Sequence, residues 1–291
     1  LRRPITIWQL DNEPDLHHMI RTDPRNNVPV AARDFESPGE YAEVLAATRE
    51  AMKDVSSDAR LMINLVGVGQ GVDGALSPKY LDDLLALDAG ANFDMVSYHV
   101  YPNGYDLAAA GTMLSEIRSR VGSRPIWITE TAVPSKEVSS FRGASEAEQA
   151  VWLAKSLVME VAGGVERIFW HKVTDASPGD RYFTYGGLRN NPEGTKKGSF
   201  YTFKLLNEKL AAATSASVEE PGRYLFTFRG GRRAWVLWSD GSSTVDLSGA
   251  LGDVQVQLTY IVESGSTPQP QTETSSAASI PVTARPVIVE L

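Results

Sequence analysis

Over the first two-thirds of the chain, short apolar runs alternate with longer amphipathic stretches. The runs at 5–10, 60–66, 94–100, 125–129 and 166–171 are rich in Ile, Val, Leu and aromatic residues, and polar or turn residues bound them. Each predicts a short buried strand. The stretches between them carry helix signals. Ser37-Pro38-Gly39-Glu40 combines an N-cap, a proline at the first helical position and a capping-box glutamate. Tyr41, Val44, Leu45, Ala47 and Met52 follow at roughly helical spacing. Ser77-Pro78 opens a second helix bearing Leu81, Leu84 and Leu85. Ser145 with Glu148 repeats the capping box ahead of Val151, Leu153, Leu157 and Val158, and a further helix is predicted over 199–210.

Five strands, each followed by a helix, predict a parallel α/β sheet or barrel. Near Ala216 the pattern changes to short alternating runs rich in Val, Thr and Ser. Residues 224–229 and 232–238 read as a hairpin around Gly230-Gly231, and 255–260 and 287–291 as further strands. The Ser/Thr/Pro/Gln stretch 265–278 reads as a mobile loop. The expected division is therefore 1–215, a partial β/α barrel, and 216–291, a small antiparallel β-sandwich-like domain.

Composition narrows the function classes. The 291 residues hold 28 basic against 36 acidic side chains, a formal charge of −8. Such a surface does not suit nucleic acid, which needs clustered Lys and Arg, but it is compatible with a neutral glycan. There is no cysteine, so disulfides, thiolate nucleophiles and cysteine-based zinc sites are excluded. No apolar run reaches the ~18–20 residues of a membrane-spanning helix. The chain enters a strand directly after Leu1-Arg2-Arg3-Pro4 and reads as the interior of a longer polypeptide. That leaves both a secreted and a cytoplasmic location open.

The candidate chemistry sits at strand ends. The first strand ends in Asp11-Asn12-Glu13-Pro14 and the fourth in Glu130-Thr131. In a parallel barrel the C-terminal strand ends converge on one mouth, where catalytic groups gather. Two facing carboxylates are what glycoside hydrolysis requires, one protonated to serve the leaving oxygen and one ionised to attack the anomeric carbon. Two carboxylates side by side also oppose double ionisation.

Four motifs, in order, resemble those of clan A glycoside hydrolases. Trp8-Gln9-Leu10-Asp11-Asn12-Glu13-Pro14 resembles the strand-4 motif that carries the acid/base, and Trp127-Ile128-Thr129-Glu130-Thr131 the strand-7 motif that carries the nucleophile. Val96-Ser97-Tyr98-His99-Val100-Tyr101-Pro102 resembles strand 6, and Ile168-Phe169-Trp170-His171 resembles strand 8. The wording is nearest to family 39-like enzymes. The resemblance implies a (β/α)8 TIM-barrel type with strands 4–8 present, and a retaining β-glycosidase acting on an oligo- or polysaccharide. It implies Glu13 as acid/base and Glu130 as nucleophile, with Asn12 on the sugar 2-hydroxyl. Tyr101 would hold Glu130, His99 would touch the sugar or the carboxylates, and Trp170 would stack on a sugar face. It also places strands 1–3 ahead of residue 1. The open edges of strands 4 and 8 are then expected to be covered by such a segment or by a second chain.

Other signals read more plainly. Gly69-Gln70-Gly71-Val72-Asp73-Gly74 fits a dinucleotide fingerprint, but the next helix starts later, so it reads as a βα loop. His17-His18 lacks partners at metal-ligand spacing, so neither metal nor cofactor is expected. The long 174–197 loop, with Tyr182, Phe183, Tyr185 and Arg189, reads as a source of outer sugar contacts, and the 134–144 loop as a weaker one. The alternative to an enzyme is a non-catalytic carbohydrate-binding remnant. Intact Asn12, Glu13, Tyr101 and Glu130 favour the enzyme, because a binder has little use for an acid–nucleophile pair.

Overall fold

The apolar runs of the first part form one parallel sheet. The computed structural model describes residues 5–22, 37–69, 75–102, 104–138, 144–176 and 184–291. It divides into two compact units. The first comprises Leu1–Pro102, Ala108–Thr131 and Val165–Phe169, and the second the remainder. The strands are β1 (Ile7–Leu10), β2 (Arg60–Gly69), β3 (Met95–Tyr101), β4 (Ile126–Thr131) and β5 (Val165–Trp170), paired in the order β1-β2-β3-β4-β5. Sequential order, with helices between the strands, is that of an incomplete α/β barrel. The helices are α1 (Pro14–Thr22), α2 (Pro38–Val55), α3 (Leu76–Ala86), α4 (Leu107–Val121), α5 (Glu146–Ala162) and α6 (Gly198–Leu210).

The middle of the sheet is covered on both faces, and every residue of β3 is buried. The edges are not. Ile5 is 67% exposed, Trp8 51% and Phe169 48%, all on or beside β1 and β5.

Most helix signals hold. Ser37 and Glu40 make the full capping box of α2, and the Ser145 hydroxyl accepts from the Glu148 backbone at the start of α5. Two readings are corrected. Helix α3 begins at Leu76 with Ala75 as its N-cap, so Ser77-Pro78 lies inside its first turn and does not open it. The Ser77 hydroxyl is turned inward, where it accepts from Gly67 N (2.8 Å) and donates to Asp15 (2.5 Å). A buried carboxylate holds a hydroxyl more firmly than a helix end does. The stretch 265–278 is not all loop: Thr272–Ser276 is a strand paired with 255–260. Its threonines and serines suit an exposed strand at a sheet edge.

In the second unit β6 (Ala213–Glu220), β7 (Arg223–Phe228), β8 (Arg233–Leu237), β10 (Gln255–Tyr260), β11 (Thr272–Ser276) and β13 (Val287–Glu290) form a six-stranded sheet in the order β11-β10-β13-β8-β7-β6. β9 (Ser243–Val245) pairs with β12 (Ile280–Val282). The 224–238 hairpin is present as β7 and β8. Period-two alternation splits the sheet's faces. Tyr224, Phe226, Phe228, Val236 and Ile288 pack with Leu153 and Val158 of α5 and Leu205 and Leu206 of α6. Trp235, Leu237, Val256, Leu258 and Val289 form a second cluster.

A buried polar knot ties the unit's loops. Lys197, fully buried, donates to Asp175 (2.6 Å), Ser135 Oγ (2.7 Å) and Tyr185 O (3.1 Å). Among the described residues no helix is long and apolar enough to cross a membrane.

Candidate active site

The loop after β1 carries Glu13 in an unusual backbone conformation. Asp11 and Glu13 have φ of 61° and 50°, the left-handed region that costs a non-glycine residue about 1 kcal/mol or more. Such a turn persists only where its surroundings hold it, and two contacts do so here. Glu13 N–H donates to Asn64 Oδ1 of β2 at 2.8 Å. Two residues on, Asp15 accepts from Val66 N–H (2.9 Å) and from Ser77. Asp15 is fully buried, and burial pushes its carboxyl up to about 6, although these hydrogen bonds act against the rise.

Glu130 reaches the same place through an irregularity in β4. Tyr98 pairs with Ile128, but His99 pairs with Glu130, so one extra residue, Thr129, is inserted. In a regular ladder His99 would face Thr129, and Glu130 would lie on the opposite face. The bulge puts Glu130 beside His99 and Tyr101. A second bulge on the other side of β3, between Leu65 and Val68, centres on Gly67 at φ 67°. A Cβ there would lie 2.1 Å from His99 O, so only glycine fits.

One histidine joins the two carboxylates. His99 Nδ1 is 2.6 Å from Glu13 Oε1 and 3.8 Å from Glu130 Oε2. Tyr101 Oη donates to Glu130 Oε2 at 2.6 Å. Glu13 is 8% exposed, and the Glu130 side chain is 27% exposed.

The other expected residues fare differently. Asn12 is exposed, and its backbone N–H donates to Asp11 Oδ1. Trp170 belongs to the second unit, where its Nε1–H donates to Gly186 O (2.8 Å) and its ring meets Trp152 edge-on. In the 174–197 loop, Tyr182 and Phe183 lie outside the described residues, as do 70–74 of the glycine-rich stretch and 139–143 of the loop after β4. Tyr185 O accepts from Ser135, Gln149 and Lys197, and Arg189 Nε donates to Gly194 O. These contacts are internal to the unit. The His18 ring lies against Tyr80.

Sequence reasoning missed Asn64 and Asp15. Asn64 interrupts the apolar run Leu61-Met62-Ile63-Asn64-Leu65-Val66. A lone polar side chain inside a buried strand must find partners, and that was its readable signal. Asp15 reads as an ordinary acidic residue in a helical first turn, so nothing in the sequence marked it.

Solved structures similar to the chain include a glucanase and a β-glucuronidase. An endo-β1,6-glucanase matches with 14% identity and a TM-score of 0.50, over 87% of this chain and 53% of that one. Bacteroides uniformis β-glucuronidase 2, covalently bound to cyclophellitol-6-carboxylate aziridine, matches with 13% identity and a TM-score of 0.51, over 97% and 32%. At these identities the likeness is one of fold. The chain spans about half the length of the first and a third of the second. No curated protein sequence matches it significantly. The family described as glycosyl hydrolase catalytic core matches residues 38–201. This stretch includes His99, Tyr101, Glu130 and Trp170 and begins after Glu13. It is more than half of the 291 residues, and on that ground the chain belongs to the glycosyl hydrolase catalytic core family.

Proposed function

We propose that the protein is a retaining β-glycoside hydrolase of the clan A type, family 39-like, acting on an oligo- or polysaccharide. The observation that carries this reading is the pair of carboxylates joined by His99 Nδ1 at 2.6 and 3.8 Å. In the first step a Glu130 oxygen attacks the anomeric carbon, the bond to the leaving oxygen breaks, and that oxygen takes the Glu13 proton. In the second, Glu13 as carboxylate takes a proton from water, whose oxygen attacks the same carbon and releases Glu130. Each cycle restores both groups. Asn12 is assigned to the sugar 2-hydroxyl and Trp170 to a sugar face, on the strength of the motif resemblance.

Following the anomer first released from an aryl β-glycoside by proton NMR tests the assignment. The β-anomer appears first if the reading is right. First appearance of the α-anomer would mean inversion, with Glu130 activating a water. Because a similar solved structure is an endo-β1,6-glucanase, β-glucans head the polysaccharide panel.

Tyr101 keeps Glu130 oriented through the 2.6 Å bond. Hydrogen bonds to a charged group contribute ~1.5–3 kcal/mol, so Tyr101→Phe should lower kcat roughly 10- to 100-fold. Equal kcat in both proteins would remove Tyr101 from the mechanism.

A further inference from the structure

We propose that Asn64 is a positioning residue that decides which oxygen of Glu13 carries the catalytic proton. The proposal rests on the reading of Glu13 as acid/base, and it follows from a chain of hydrogen bonds in which only the first has an obligatory direction.

That first bond is Glu13 N–H to Asn64 Oδ1, 2.8 Å. A backbone N–H can only donate, so the amide oxygen of Asn64 must be the atom facing it. The amide nitrogen then faces inward, with Ser97 Oγ at 3.0 Å, Thr129 Oγ1 at 3.1 Å and His99 Nε2 at 3.2 Å. An amide NH2 cannot accept. The two hydroxyls can turn to suit it, and Ser97 has Gln9 Oε1 and Ile63 O as outlets for its own hydrogen. The imidazole cannot turn in that way. A hydrogen on Nε2 would point at another donor, so Nε2 is the bare nitrogen and the ring's hydrogen sits on Nδ1.

Nδ1–H points at Glu13 Oε1, 2.6 Å away. Oε1 is thereby the accepting oxygen, and the proton that a glycosidic oxygen would receive is confined to Oε2. The arrangement closes on itself, because the backbone of Glu13 sets the protonation site of its own side chain through Asn64 and His99. Asn64 is fully buried and His99 is 1% exposed. Among the described residues, the ionisable groups at the ring are Glu13 after β1, Tyr101 of β3 and Glu130 of β4, and Asp15 of α1 interacts electrostatically with Glu13.

The test is the tautomer of His99 by nitrogen-15 NMR. The chain has four histidines, and the variant His99→Asn identifies the signals to be followed. The wild-type ring should show a protonated Nδ1 and a bare Nε2. Asn64→Asp keeps an acceptor for Glu13 N–H but puts an acceptor where the NH2 stood, so Nε2 should become protonated. With a hydrogen on Nε2, the neutral ring no longer donates to Oε1. Alkyl β-glycosides, whose leaving oxygen needs a proton, should then lose about tenfold or more in kcat, while dinitrophenyl glycosides change little. A bare Nδ1 in the wild type overturns the proposal, and that spectrum needs no variant to fold. An unchanged tautomer in Asn64→Asp also overturns it. If the tautomers behave as stated but Glu13→Ala slows both substrate types alike, the acid/base reading fails and the proton placement by Asn64 stands.

Discussion

Glu130→Gln is expected to lower turnover of every β-glycoside by on the order of 10⁴-fold or more, because the amide cannot form the glycosyl ester. Glu13→Ala should behave differently. A general acid contributes ~10²–10⁴-fold where the leaving group needs its proton, so alkyl and polysaccharide substrates should lose that much. Dinitrophenyl glycosides should lose far less in bond cleavage, because their leaving group departs as a stable anion. The two glutamates sit in different surroundings. Glu13 is nearly buried and held by backbone and histidine contacts, whereas the more open Glu130 has the Tyr101 hydroxyl on the oxygen nearest His99. Steady-state kinetics on a leaving-group series would check both variants. Equal losses for Glu13→Ala across the series would sink its acid/base role. Measurable turnover by Glu130→Gln on natural substrate would sink the covalent step.

The second large effect is on stability and lies in the other unit. Helix α5 buries Glu160 completely, and burial pushes its carboxyl up to about 8 from an ordinary value of 4.5. Ser156, one turn earlier, acts weakly the other way. Among the described residues neither Glu160 oxygen meets a partner in hydrogen-bond geometry. Folded protein therefore keeps this proton over a range where the unfolded chain has released it. The sign follows: the contribution to stability is fully present below about pH 4.5 and is lost as pH rises through about 8. The slope is roughly 1.4 kcal/mol per pH unit, a loss on the order of 4 kcal/mol between about pH 5 and 8. Glu160→Gln cannot ionise and should be free of this slope. Denaturant unfolding of both proteins at several pH values measures it. Asp15 and the other titrating groups are common to both and cancel in the difference. Parallel stability curves would show that Glu160 ionises in the fold without cost.

Local order was legible along the chain because its causes are local. The capping boxes at Ser37 and Ser145 satisfy helix-end N–H groups with side chains three residues away. The β7–β8 hairpin around Gly230-Gly231 follows from alternation and a glycine turn. Strand-end positions for Glu13 and Glu130 were equally readable, since a parallel sheet gathers its C-terminal strand ends on one side. Where partners lie far apart in sequence, local reading failed. Ser77-Pro78 looked like a helix opening, but Ser77 lies inside the helix and donates its hydroxyl to Asp15, 62 residues away. The 265–278 stretch looked like loop until the edge of β10 paired with part of it.

The sequence by itself determined which residues could do the chemistry: two strand-end carboxylates, with a histidine and a tyrosine on the strand between them. Only the tertiary structure decided that they meet. Strand side chains alternate with a period of two, so a single inserted residue changes which face a side chain occupies. The bulge at Thr129 does this for Glu130, and the Gly67 bulge lets β2 pass His99 O at a distance that no side chain would permit. Neither insertion leaves a mark in the hydrophobic pattern, because a bulge is a property of two paired strands and not of either one alone. The same holds for Asn64. Its three inward partners come from β3 and β4, and its outward one is the backbone of Glu13, 51 residues earlier. Those bonds form only after the sheet has assembled, and they hold Glu13 and His99 in an arrangement that the sequence could only nominate.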